Sequence, residues 1–197
     1  MNIYLVRHGE TEENLKKTYY GSIDCDLTEN GINQALYLKE ILSKLKFDAI
    51  FCSEKKRAKN TLEIIGHKEN IIEDSRLNER DFGVFEGKTF NEINEAFKDE
   101  YNNWMKDWKG YTPPSGESFK TFYSRVKMFI EEMKDKDYDN VLIATHGGVI
   151  RAIYCYMLDE NLDHYWRFAS RNGDLTKIKF ENNYFYIDSI IPLNNLN

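Results

Sequence analysis

Short continuous apolar runs alternate along the chain with longer stretches in which apolar residues recur every three or four positions. Ile3-Tyr4-Leu5-Val6, Ala49-Ile50-Phe51-Cys52 and Val141-Leu142-Ile143-Ala144 are such runs, closed by Arg7-His8-Gly9, Ser53 and Thr145-His146-Gly147-Gly148. Runs of this length without polar alternation read as strands buried on both faces. Between them, Ile32, Ala35, Leu38, Ile41, Leu42 and Leu45 mark an amphipathic helix behind Thr28, a suitable N-cap. A second helix is expected from about Lys55 to Ile65, ended by Gly66. Phe119, Phe122, Val126, Phe129, Ile130 and Met133 mark a third, and a fourth follows Gly148 through about Met157.

Other stretches are less regular. Residues up to Gly21 read as a polar loop after the first strand, Ile71-Ile72 as a short strand, and Leu77–Gly87 as loop. Phe90, Ile93, Phe97, Trp104 and Trp108 stand among charges and predict one or two short helices over 89–109, with Trp104 and Trp108 on one face. Alternation from Thr176 through Phe180, a break at Glu181-Asn182-Asn183, and resumption at Tyr184, Tyr186 and Ile190 predict a hairpin. Strands alternating with helices imply an α/β fold with helices on both faces of a mostly parallel sheet, made mixed by the hairpin.

Composition narrows the picture. With 197 residues, 41% of them hydrophobic, the chain suits one domain, residues 1–197, with one sizeable core. Lys and Arg total 27 against 33 Asp and Glu, a net charge of -6, which argues against broad phosphate neutralisation and hence against a nucleic-acid partner. No apolar run approaches a membrane span, and the first residues lack the basic-then-apolar order of a signal peptide, so a cytoplasmic protein is expected. Cys25, Cys52 and Cys155 are odd in number and far apart, and neither a disulfide framework nor a zinc site is expected.

The chemistry gathers at the strand ends. In a parallel sheet ligands bind beyond the carboxyl ends of the strands. Arg7-His8-Gly9, Ser53 to Arg57 and Thr145-His146-Gly147-Gly148 therefore converge on one side. Two imidazoles with Arg7 and Arg57 form a local cationic pocket in an acidic protein, suited to a phosphoryl group. A neutral histidine can attack phosphorus if a backbone acceptor holds its other nitrogen protonated. A carboxyl group would then serve the leaving alkoxide as acid and the water as base.

These residues carry a resemblance. Leu5-Val6-Arg7-His8-Gly9-Glu10-Thr11 with Asn14 resembles the opening motif of the histidine phosphatase superfamily, the phosphoglycerate-mutase-like fold. Gly21 with Asp24, Leu27-Thr28, Gly31 and Gln34-Ala35 resembles the family's next block, and Ser53, Arg57-Ala58 and Thr61 its second arginine block. Leu77, Glu79, Phe82-Gly83 and Glu86-Gly87 resemble the acid-bearing loop, and Thr145-His146-Gly147-Gly148 the second histidine block. The blocks stand in the family's order. The resemblance implies a three-layer αβα sandwich, His8 as the phosphorylated nucleophile, and Arg7, Arg57 and His146 on the phosphoryl oxygens. Glu79 becomes the acid and base, Asn14, Gly21 and Gly147 line the pocket, and no metal or other cofactor is implied. Glu86, Glu73 and Asp81 lie near Glu79 as competing carboxylates.

The stretch with Pro113-Pro114-Ser115-Gly116-Glu117-Ser118 is short where phosphoglycerate mutases carry an insertion. It resembles the short phosphatases, in particular the α-ribazole-5′-phosphate phosphatases, with a small phosphomonoester as the partner. Residues 88–118 are a candidate lid, and Trp104 and Trp108 could stack on an aromatic base. Broad-specificity sugar or nucleotide phosphatases and phosphoglycerate mutases are the alternatives. A catalytically silent phospho-ligand binding protein is the alternative outside enzymes. Asp26 departs from the family, which commonly has proline there, and Glu54-Lys55-Lys56 is unusually charged. His67 reads as a structural residue at a helix end, and His164 as a solvated loop residue.

Overall fold

The structure, a computed structural model, describes residues 1–193. In its first half, the strands are β1 (Asn2–Arg7), β2 (Thr18–Tyr19), β3 (Ala49–Cys52) and β4 (Ile71–Glu73), and the helices α1 (Glu12–Lys16), α2 (Glu29–Leu42) and α3 (Lys56–Ile65). β5 (Lys88–Thr89), α4 (Phe90–Ala96), α5 (Lys98–Lys106), α6 (Phe119–Glu132), β6 (Asn140–Thr145), α7 (Gly147–Met157), β7 (Leu175–Glu181) and β8 (Tyr184–Ile191) follow. The main sheet has the order β4-β3-β6-β1-β7-β8. β4, β3, β6 and β1 run parallel, while β7 and β8 are antiparallel additions. The hairpin turn sits at Asn182 and Asn183, both at positive φ (50° and 68°), a conformation asparagine tolerates well.

Alternation along each central strand divides the core. Ile3, Leu5, Phe51, Val141 and Ile143 face α6 and α7, packing on Phe122, Phe129, Ile150 and Ile153. Tyr4, Val6, Ile50, Cys52, Leu142 and Ala144 face α2 and α3, packing on Leu38, Leu42, Ala58 and Leu62. The result is a three-layer α/β/α sandwich. The three cysteines are free, Cys52 and Cys155 buried and Cys25 half-buried. No described helix is long and apolar enough to cross a membrane.

Two expectations need correction. The stretch up to Gly21 is not all loop: α1 forms there without burying any side chain, held by a reciprocal capping box between Thr11 and Asn14, and β2 pairs with β5. A five-residue helix with no apolar stripe carries no periodic signal. Trp104 and Trp108 also do not share a helix face, because α5 ends at Lys106 before Trp108. Trp104 packs on Phe85 and Ile93 in a third, small core, and Trp108 contacts Phe119 and Tyr165.

Candidate active site

β1, β3 and β6 are neighbours and parallel, so their carboxyl ends bring His8, Ser53 and His146 together. The rings of His8 and His146 are 5.1 Å apart, centroid to centroid, and both are buried. His8 Nδ1 lies 2.7 Å from the Gly9 carbonyl. A carbonyl only accepts, so Nδ1 carries the proton and Nε2 is left with its lone pair. Burial holds the His8 pKa well below the usual histidine range, with Arg57 and Arg7 adding to the effect. The ring is therefore neutral near pH 7.

His146 has the opposite tautomer. Arg57 Nε donates to its Nδ1 at 3.2 Å, which requires a bare nitrogen there. Nε2–H then donates to Ser53 Oγ at 2.7 Å, and Ser53 donates onward to Asn78 Oδ1 at 2.8 Å. Burial, then Arg57, His8 and Arg7, lower the His146 pKa as well. An arriving phosphoryl dianion would favour the imidazolium, and because Nδ1–H could then no longer accept from Arg57 Nε, both N–H groups would have to turn to the phosphoryl oxygens.

Arg57 is wholly buried although it lies on a helix. Its Nη1 and Nη2 donate to the carbonyls of Ile23 (2.8 Å) and Gly21 (2.9 Å), and Tyr20 stacks against it at 4.7 Å. Gly21 thus braces Arg57 from behind. A Cβ there would come within 1.8 Å of the Arg80 carbonyl oxygen. Arg7 Nη1 donates to the Ser170 carbonyl, while its buried Nε has no partner among the described residues. Gly147 allows the Arg7 guanidinium to lie against the start of α7, where a Cβ would be 3.2 Å from Nη1. Neither Arg7 nor Arg57 forms an ion pair among the described residues. Both remain available to an anion.

Glu79 reaches the same place from the loop after β4. Its carboxylate accepts from Gly148 N and Arg80 N, both at 2.9 Å. A Cβ on Gly148 would meet Oε1 at 2.1 Å, so the glycine makes room for the carboxylate. The competing carboxylates are engaged elsewhere. Glu86 accepts from four backbone amides, those of Gly21, Ser22, Ile23 and Phe82. Asp81 accepts from Gly83 N, and Glu73 pairs with Lys59. Asn14 Oδ1 is engaged by Thr11 N, Thr11 Oγ1 and Asn172 Nδ2, which turns its own amide nitrogen away from them, with no acceptor among the described residues.

Several contributors had no role assigned from the sequence: Ser53 and Asn78 behind His146, Thr61 accepting from Gly9 N, and Ser170 and Asn172 from the loop before β7. Ser53 and Thr61 lay inside recognisable blocks. Ser170 and Asn172 had no such signal. The family departure at Asp26 finds a partner in the other departure, pairing with Lys56 at 2.8 Å. His67 packs on Phe47 beyond α3 as a structural residue. His164 is half-buried rather than solvated, because it lies in a 3₁₀ turn over Leu162–Arg167.

A cavity of about 390 Å³ is lined by Tyr19, Phe82, Trp104, Trp108, Phe119 and Tyr165, with Arg80, the chain neighbour of Glu79, in its wall. Arg80 is buried and has no carboxylate partner among the described residues; it donates to the Glu117 carbonyl and stacks near Phe82 and Trp104.

The family model for the histidine phosphatase superfamily (branch 1) matches residues 3–191. A protein of Salmonella typhimurium named adenosylcobalamin/alpha-ribazole phosphatase is 34% identical, over 88% of this chain and 87% of its own. A Hydrogenobacter thermophilus protein with a provisional phosphoserine phosphatase name is 37% identical, over 91% of this chain and 89% of its own. The crystal structure of the alpha-ribazole phosphatase from Shigella flexneri superposes with a TM-score of 0.91 at 29% identity, covering 99% of this chain and all of that one. The chain belongs to branch 1 of the histidine phosphatase superfamily and is a phosphatase.

Proposed function

We propose that the protein hydrolyses a phosphomonoester through a phosphohistidine at His8, and that the ester is α-ribazole-5′-phosphate. The observation that carries the chemistry is the Gly9 carbonyl on His8 Nδ1, which leaves Nε2 bare among Arg7, Arg57 and His146. In the first step the Nε2 lone pair attacks phosphorus, a P–N bond forms, and the P–O ester bond breaks. Glu79 gives its proton to the departing alkoxide. The guanidinium groups and the protonated His146 face the oxygens on which charge builds. In the second step water attacks phosphorus, its proton passes to Glu79, and the P–N bond breaks to return neutral His8. The positive charge required is supplied by these side chains, so the reading needs no metal.

The substrate assignment is supported by the aromatic cavity whose wall holds Arg80, the chain neighbour of Glu79, which suits a flat base such as benzimidazole, and by the names of relatives. A second reading is phosphoserine, favoured by the unpaired Arg80 in that cavity, which would suit a carboxylate, and by another relative's name. Phosphate release from α-ribazole-5′-phosphate, phosphoserine, 3-phosphoglycerate and an aryl phosphate, with a chelator present, separates these. A clear kcat/KM preference for the first is expected. A preference for phosphoserine overturns the substrate, and loss of all activity on chelation overturns the metal-free chemistry.

A further inference from the structure

The nucleophile's tautomer rests on one carbonyl, and that carbonyl is itself held from outside the family blocks. Asn172 lies 164 residues from His8 in sequence, in the loop that precedes β7. Its Nδ2 donates to His8 O at 3.1 Å, to Gly9 O at 3.3 Å and to Asn14 Oδ1 at 3.0 Å. The orientation of the amide is determined by its surroundings. Thr11 N can only donate, so Asn14 must present Oδ1 to it. Asn172 is then surrounded by three acceptor oxygens and must face them with its nitrogen. One N–H is shared between the two carbonyls and the other goes to Asn14.

The rest of the loop supports this grip. The Ser170 carbonyl accepts from Arg7 Nη1, Gly173 N donates to Arg7 O at 3.2 Å, and Arg7 N donates to Asp174 O at 3.2 Å. The Asp174 carboxylate closes the loop, accepting from Arg171 N at 2.6 Å and Leu193 N at 3.1 Å. The end of β1 is thus held on its outer side by residues 170–174.

We infer that Asn172 is a positioning residue for the nucleophile: by orienting the His8 and Gly9 carbonyls it aims the Gly9 oxygen at His8 Nδ1, and by holding Asn14 Oδ1 it turns the Asn14 amide nitrogen toward the phosphoryl site. The inference rests on His8 as the nucleophile. It requires that losing Asn172 mixes the two His8 tautomers, because a buried imidazole without an aimed acceptor has no reason to keep its proton on Nδ1. It also requires the attack step to slow for every substrate, whatever its leaving group.

The test uses the full chain labelled with ¹⁵N-histidine, with His8→Ala identifying the His8 signals. Long-range ¹H–¹⁵N spectra of the wild type should show His8 protonated on Nδ1 and His146 protonated on Nε2. In Asn172→Ala, His8 should populate both tautomers while His146 keeps its own. Its kcat/KM should fall roughly tenfold to a hundredfold, equally for alkyl and aryl phosphates. A purely structural role would lower Tm but leave the tautomer of the folded molecules unchanged. If Asn172→Ala does not fold, Asn172→Asp keeps the shape while placing acceptors against both carbonyls, and the same two readouts apply. An unchanged His8 tautomer in either folded variant overturns the inference, as does a kcat/KM within twofold of wild type. If His8→Ala still hydrolyses substrate, the proposed mechanism fails, and the tautomer comparison still decides what Asn172 does.

Discussion

The two halves of the site are built differently. Arg7, His8 and His146 stand at the ends of adjacent parallel strands, and Arg57 projects from the first turn of a helix that follows the third. Glu79 and Arg80 come instead from the loop after β4, and the aromatic cavity lies where Trp104 of the small third core meets Phe119 and Tyr165 of the main one. On the proposed mechanism the strand-end half handles the phosphoryl group common to all substrates, in a geometry set by sheet hydrogen bonding. The loop half would then face the leaving group, which differs from one phosphatase to another. Loops tolerate change where central strands do not, so one rigid half can be combined with many leaving-group pockets.

Mutations should separate the halves. On the proposed mechanism His8→Ala should lower turnover of every substrate by about 10⁴-fold or more, with the fold retained by circular dichroism. Residual activity above that level would break the distinction at its centre. Glu79→Gln should cost roughly 10²- to 10⁴-fold on alkyl phosphates and much less on aryl phosphates, whose leaving groups need little protonation. Equal losses on both would remove Glu79 as the acid. Gly148→Ala sharpens the point, since its Cβ would collide with Glu79 Oε1 at 2.1 Å. The carboxylate is the movable partner, so the same leaving-group dependence is expected, smaller in size, with little change in Tm.

Trp108→Ala, at a half-buried wall of the cavity, should raise KM for α-ribazole-5′-phosphate by about tenfold, the order of one stacking contact, and change that for phosphoserine less. The smallest effect concerns pH. Both buried histidines have pKa values lowered in the folded state but take up protons near pH 6.5 when unfolded. Below that pH the unfolded chain binds more protons, so stability falls as acid is added and is unaffected above it. Tm should drop between pH 7 and 5.5, and less steeply in His8→Ala than in wild type.

Much of this was legible in sequence, and the gaps have physical causes. Buried strands announce themselves by unbroken apolar runs, and strand ends marked by Arg-His-Gly and Thr-His-Gly-Gly locate the phosphoryl half. α1 was not legible because a capping box, not an apolar face, holds it. Trp108 was misplaced because a helix end without a glycine or proline leaves no mark in the spacing. The choice of Glu79 over Glu86 was open to resemblance alone. It is supported by the four amides that occupy Glu86.

The amino-acid sequence by itself determined the layered α/β architecture and the convergence of two arginines and two histidines, because hydrophobic periodicity and strand order are local properties. Only the tertiary structure decided the tautomers. His8 and His146 are the same residue, equally buried, 5.1 Å apart, and each is followed by glycine. One faces a carbonyl that only accepts and the other a guanidinium that only donates. His146 meets Arg57 from 89 residues away, and the carbonyl that His8 meets, although its neighbour's, is contacted by Asn172 from 163 residues away, and no local pattern records these contacts.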